Sequence, residues 1–156
     1  MNSELIEALR EKLGQLQKIR RNLEYSHKKV ERFWRIDTNF DDWNEDQFES
    51  LAAFKARFAE FQDHLASAMK LIASIEGERA EVFTYVLNFM VQIYVLESVD
   101  EWRNVRDLRN AATHDYSDTE EVKAIHFHRL VQHTHYLYET LDKLERFACT
   151  AYPLKQ

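Results

Sequence analysis

The sequence predicts an all-α protein, an antiparallel bundle of about five helices. Three observations carry that expectation. The 156 residues include only two glycines and one proline, too little material for hairpins, bulges or a glycine-rich nucleotide loop. Apolar residues recur at three- and four-residue spacing along most of the chain. Asp, Asn and Ser stand where that periodicity stops and restarts, as helix caps do.

Each element follows from the same logic. Leu5, Leu9, Leu13, Leu16, Leu23, Val30 and Phe33 form the stripe of a first helix over residues 3–34. The segment DTNFDDWNED supplies a turn and an N-cap. A second long helix carries Phe48, Leu51, Phe54, Phe58, Phe61, Leu65, Met69, Leu71 and Ile72, with Gly77 as its stop. That row of phenylalanines reads as core rather than as a ligand box. The third helix, VFTYVLNFMVQIYVL over 82–96, is apolar almost all round and is expected to be central, or to lie in a dimer interface. It is shorter than the ~18 residues that span a bilayer, and it contains Asn88 and Gln92.

Ser98 and Glu101 form a capping box that starts a fourth helix, with Trp102, Val105, Leu108 and Ala112 inward and an end near His114. Asp118 and Glu121 repeat the box before a last helix over 119–150, whose core positions are Val122, Ile125, Leu130, Leu137, Leu141, Leu144 and Phe147. No repeat, low-complexity tract or linker interrupts the chain, so residues 1–156 read as one helical domain.

Composition bounds the function. With 45% hydrophobic and 13% aromatic residues a substantial core can form, which excludes a disordered chain. A net charge of −6 argues against a protein that coats nucleic acid. It leaves room for a locally basic site that acts on RNA and releases it. The lone Cys149 cannot form an intrachain disulfide and is expected to be a reduced core thiol. The charged, amphipathic start MNSELIEALREK lacks a signal-peptide pattern, which points to the cytoplasm. His126, His128, His133 and His135 crowd the last helix without carboxylate or Cys partners at ligand spacing, so a solvated or groove-lining row is expected and no metal site or other cofactor. Asp41, Asp42, Glu45 and Asp46 serve capping and solubility, since an EF-hand would need its own spacing and a Gly.

The stretch LRNAATHDY, residues 108–116, is the part least like scaffolding. It places Arg109, Asn110, His114 and Tyr116 within eight positions where a helix ends. An Arg-x4-His pair alone arises easily by chance; requiring the adjacent Asn and the Tyr lowers that to roughly one in a thousand. Arg103, Arg106 and Arg109 at i, i+3, i+6 suggest one basic row, with Trp102 and Val105 opposite and buried. The plainer alternative is a solvated arginine face with a His at the negative end of the helix dipole.

RNA chemistry needs these residue types. When a 2′-hydroxyl attacks the adjacent phosphorus, a group must move protons near neutral pH, and His titrates there. A cation must stabilise the phosphorane-like transition state, and Arg offers a charged planar fork. Asn110 could hold a phosphate oxygen or orient the His. On a straight helix five residues turn through about 500°, which leaves Arg109 and His114 roughly 140° apart. Either the helix unwinds before His114, or two copies of the motif meet across a two-fold axis.

At these residues the chain resembles the HEPN superfamily, specifically HepT-like toxins of bacterial HepT–MntA toxin–antitoxin pairs. It matches their R-x4-H-x-Y as R-N-A-A-T-H-D-Y, preceded by the W-x5-L-R of Trp102 to Arg109. The resemblance is close over 98–120 and loose elsewhere, because the first two helices look longer than in compact members. It implies a HEPN-like bundle and a metal-independent endoribonuclease acting as a homodimer. Arg109 and His114 would be catalytic, Asn110 supporting, and Arg103 and Arg106 in contact with RNA phosphate. Tyr116 would accept AMP from an MntA-type nucleotidyltransferase antitoxin, which silences the toxin. The alternative is a non-catalytic HEPN subunit that presents substrate to a nucleotidyltransferase, or a pure interaction protein.

Overall fold

The structure, a computed structural model, describes residues 2–35, 39–113 and 119–153, without the side chains of Ala112, Thr113 and Glu120. Among the described residues there are six α-helices, one 3-10 turn and no strand. The helices are α1 Ser3–Glu31, α2 Glu45–Ile75, α3 Phe83–Gln92, α4 Val99–Thr113, α5 Glu120–Gln132 and α6 Thr134–Ala151; the 3-10 turn is Phe40–Asp42. The chain is all-helical, as expected, and no helix among the described residues is long and apolar enough to cross a membrane.

The two long helices form an antiparallel pair, because their apolar stripes run their full lengths. Lys12 Nζ lies 3.1 Å from His64 Nδ1 near one end, while Arg57 donates to the Ser26 hydroxyl at 2.7 Å near the other. Helix α6 runs antiparallel to α1: Gln17 meets Glu145, Arg20 meets Asp142 and His27 meets Tyr138. Leu9, Leu16 and Leu23 of α1, Phe54, Phe58 and Phe61 of α2 and Leu137, Leu141 and Leu144 of α6 are all fully buried. The phenylalanine row is therefore core. Emptying one such position costs about 3–5 kcal/mol.

Local chemistry sets the helix ends. Asn44 and Gln47 form a reciprocal capping box, each side chain accepting the other's backbone N–H at 2.9 Å. At the far end of α2, Gly77 adopts φ 74°, and the Glu78 N–H returns to the Ala73 carbonyl at 2.9 Å. That left-handed cap suits glycine. The α1–α2 connection is held by aromatics: the Trp34 ring meets Phe127 of α5 edge-on at 4.5 Å, and Phe40 meets Trp43 at 4.7 Å.

Five expectations change. The 82–96 segment is not a central helix. Only Phe83–Gln92 is helical, burying Val86, Leu87 and Met90 chiefly against α2 and α4, while Val82, Tyr85 and Tyr94 stay exposed. The space it was expected to fill is taken by the side chains of α1, α2 and α6. The last helix is interrupted at His133 (φ −89°, ψ 3°). There His133 Nδ1 sits 2.7 Å from the Arg129 carbonyl oxygen, and the Thr134 hydroxyl donates to that of Leu130 at 3.0 Å, so side chains compete for backbone acceptors. Counted as one interrupted helix, α5 and α6 bring the total to the expected five. The cap before α5 is Thr119, whose hydroxyl accepts the Val122 N–H at 3.3 Å; Asp118 lies outside the described residues. Val122 and Ile125, expected in the core, are exposed. Cys149 is exposed rather than a core thiol, because Ala148 takes the inward position beside it.

Candidate functional site

Helix α4 begins where its sequence predicts: the Ser98 hydroxyl accepts the Glu101 N–H at 3.0 Å. Trp102 and Val105 are buried and fix the helix's rotation. Arg106 and Arg109 follow Trp102 by four and seven residues, which brings them within about 40° of its direction. They therefore stand on Trp102's side, not opposite it, and line one cleft with it. Arg103 turns elsewhere and donates to the Thr84 hydroxyl of α3 at 2.7 Å. The expected single row of arginines is thus divided between two neighbours.

The cleft lies where α4 faces α2 and the start of α3, with a volume of about 290 Å³. Phe83 and Trp102 give it aromatic sides. Lys70, Arg106 and Arg109 are its cations and Asp63 its carboxylate, so among the described residues positive charge leads three to one. Arg109 grips Asp63 with both terminal nitrogens, at 2.6 and 3.4 Å. Arg109 is 23% exposed and Asp63 62%. A pair so open to water contributes about 1 kcal/mol or less.

Beside Asp63 sits Gln62, 2% exposed and lining the same cleft. Neither its Oε1 nor its Nε2 has a hydrogen-bond partner among the described residues. Asn110 is exposed on the last turns of α4. His114 and Tyr116 lie outside the described residues.

The histidines do not act as a row. His128 receives a 3.4 Å contact from the Trp34 indole nitrogen, and His133 caps the end of α5. His135 stands edge-on to His27, ring centres 5.4 Å apart. His27 is buried, with Nδ1 3.2 Å from the Tyr138 hydroxyl. Burial holds its pKa below the usual value and the nearby His135 adds to this, against the opposing pull of Glu31 and Glu24. Burial likewise pushes the Tyr138 hydroxyl well above its usual range. Among the described residues no three His, Cys, Asp or Glu side chains gather as a metal site would require.

Asp63, Gln62 and Lys70 are not legible from the motif, because they come from α2, far from it in the chain. One signal was available. Gln62 lies four residues after Phe58 and three before Leu65, squarely on the apolar stripe of α2. Comparison of the chain with family models, curated proteins and solved structures yields no match.

Proposed function

We propose that this chain is a metal-independent endoribonuclease that works as a symmetric homodimer, the toxin of a toxin–antitoxin pair silenced by AMP transfer to Tyr116. The observation that carries the proposal is Arg109: the first residue of R-x4-H-x-Y stands with Arg106 in a cleft of excess positive charge, paired there with the solvent-exposed carboxylate of Asp63. A phosphodiester offers the guanidinium two oxygens in the fork geometry Asp63 now occupies, and little stability is lost in the exchange.

In the proposed reaction His114 takes the proton of the 2′-hydroxyl, O2′ bonds to phosphorus and the P–O5′ bond breaks. The departing 5′-oxygen takes that proton from His114, leaving a 2′,3′-cyclic phosphate and a 5′-hydroxyl end. Arg109 stabilises the charge on the equatorial oxygens, a contribution that is large in a water-poor site. Asn110 orients the His or a phosphate oxygen. Arg106, exposed at the cleft, suits a flanking phosphate better than Arg103, which Thr84 engages.

The two-fold arrangement has its own support. Helix α4 is continuous through Thr113, so nothing unwinds between Arg109 and that residue. Were that geometry to run one residue further, the two motif side chains would stand about 140° apart, which favours Arg109 of one copy meeting His114 of another. Val82 and Tyr85, exposed on either side of the cleft's Phe83, give a second copy apolar surface to cover. An AMP group on Tyr116 would add phosphate charge beside the RNA path and repel substrate.

The test is cleavage of single-stranded RNA in EDTA. Cyclic-phosphate ends and a sedimenting dimer are expected. Loss of activity in EDTA with rescue by Mg²⁺ would overturn the mechanism. A wild type inert on RNA, indistinguishable from Arg109→Ala, would establish the substrate-presenting alternative.

A further inference from the structure

We propose that the cleft beside Arg109 is a seat for one adenine nucleotide, with Gln62 reading the base edge and Lys70 with Arg106 holding the phosphate. The inference rests on the ribonuclease reading for the source of that nucleotide, an RNA strand whose scissile phosphate lies at Arg109.

The orphaned amide is the starting point. Nearly all buried polar side-chain atoms find a partner, yet both ends of Gln62 have none among the described residues. A leucine would fill the same space without that penalty. An unpartnered donor and acceptor side by side match a ligand that carries the complementary pair on a planar edge. Adenine presents such a pair at N7 and N6, and Gln is a side chain that reads it bidentately. Phe83 and Trp102 provide the flat apolar sides a base requires. Lys70 and Arg106, both exposed, stand ready for phosphate oxygens. The volume of about 290 Å³ sits at the bottom of the roughly 300–1,000 Å³ range of small-molecule sites, which suits one nucleotide rather than a length of strand.

Access is gated by the same ion pair. Gln62 is closed to solvent, and its chain neighbour Asp63 is the residue that holds Arg109. In this proposal, phosphate that displaces Asp63 loosens the adjoining turn of α2 in the same cleft, which couples phosphate entry to base reading.

The experiment measures binding of 2′-O-methyl RNA, which lacks the attacking hydroxyl, either all-uridine or with one adenosine. Adenosine 5′-monophosphate is measured in parallel, with wild type, Gln62→Leu and Arg106→Met. The wild type should prefer the adenosine-containing strand by about 10- to 100-fold. Gln62→Leu should erase that preference while keeping residual binding. Arg106→Met, a surface change that leaves the core intact, should weaken all strands alike and lower the salt dependence by about one ion.

Adenosine 5′-monophosphate bound as tightly as the strand, through Gln62, upholds the seat with a free nucleotide as its source; binding of the strand alone upholds it with RNA as the source. Wild-type binding indifferent to the base overturns the proposal, as does a folded Gln62→Leu that keeps the adenosine preference. RNA cleavage that persists with either result leaves the ribonuclease reading standing. Gln62-dependent nucleotide binding without any cleavage removes that reading and keeps the seat.

Discussion

Two arginine–aspartate pairs cross helix interfaces in this molecule with nearly the same geometry. Arg20 of α1 reaches Asp142 of α6 at 2.7 Å, with side-chain exposures of 21% and 47%. Arg109 of α4 reaches Asp63 of α2 at 2.6 Å, with exposures of 23% and 62%. Their surroundings differ. Arg20 lies over the Tyr138 ring at 5.0 Å and near Glu24 at 3.9 Å, in a seam where His27 has the Tyr138 hydroxyl and Gln17 has Glu145. Arg109 shares its cleft with two further cations and a buried amide that has no partner among the described residues. The hydroxyl of Tyr136, whose ring centre lies 6.5 Å from that of Trp102, is a second buried group without one. The same ion pair finishes a polar network in one place and holds an unfinished one in the other.

The largest expected effect separates the two arginines. Arg109→Ala should lower RNA cleavage about 10² to 10⁴-fold, as loss of a transition-state charge stabiliser does, with the fold intact. His114→Ala should fall in the same range. Arg20→Ala should leave cleavage unchanged and lower unfolding free energy by about 1–2 kcal/mol, the sum of an exposed ion pair and a cation–π contact. Rates and denaturant midpoints measured on both variants check the contrast. Equal losses of stability and no selective loss of rate would erase the distinction between the two regions.

The buried polar groups give the next contrast. Gln62→Leu should raise stability by about 1–3 kcal/mol, because an unsatisfied amide leaves the interior and nothing is broken. His27→Leu should do the opposite, stranding the Tyr138 hydroxyl. A destabilised Gln62→Leu would mean that the amide is satisfied in solution and that the two regions are alike.

The third contrast is in pH. His27 sits among Glu24, Glu31, His135, Tyr138 and Arg20, and burial lowers its pKa in the folded protein. The unfolded chain then binds a proton near pH 6.5 that the folded chain still refuses. Stability from this group is present above that pH and is lost as pH falls toward the folded pKa, at up to about 1.4 kcal/mol per pH unit. Denaturant midpoints between pH 7 and 5 should fall in the wild type and fall less steeply in His27→Gln. Parallel curves would show that another group carries the acid sensitivity.

How much of this was legible in the sequence depended on what sets each feature. Helix α2 was readable at both ends because Asn44 and Gly77 act locally, through a side-chain cap and a left-handed turn. Local pattern did not settle the fate of 82–96, since an apolar segment reads as central whether or not other helices have already filled the centre. The break at His133 depended on two side chains competing for carbonyls one turn back, a balance that periodicity does not register. At the site, Arg109 and its neighbours were visible as a motif, but Asp63 comes from 46 residues away. No spacing rule links it to α4. Gln62 was visible in retrospect as the polar residue on an apolar stripe.

The smallest prediction compares two helix ends. Helices α2 and α3 close the same way, with a left-handed residue and a backbone bond reaching five residues back: Glu78 to Ala73, and Val95 to Met90, each 2.9 Å. At the end of α2 the residue is Gly77; at the end of α3 it is Tyr94, with φ 65° and 86% exposed. A side chain in that conformation costs roughly 1–2 kcal/mol, part of which glycine forfeits through greater freedom in the unfolded chain. Tyr94→Gly should therefore gain about 0.5–1 kcal/mol, a rise of roughly 1–4 °C in melting temperature at this chain length. If instead the variant loses stability, and loses more as protein concentration rises, the ring is packed by a second copy. The strain at the end of α3 would then be offset by association rather than simply tolerated, which extends the contrast with the finished α1–α6 seam from polar groups to backbone.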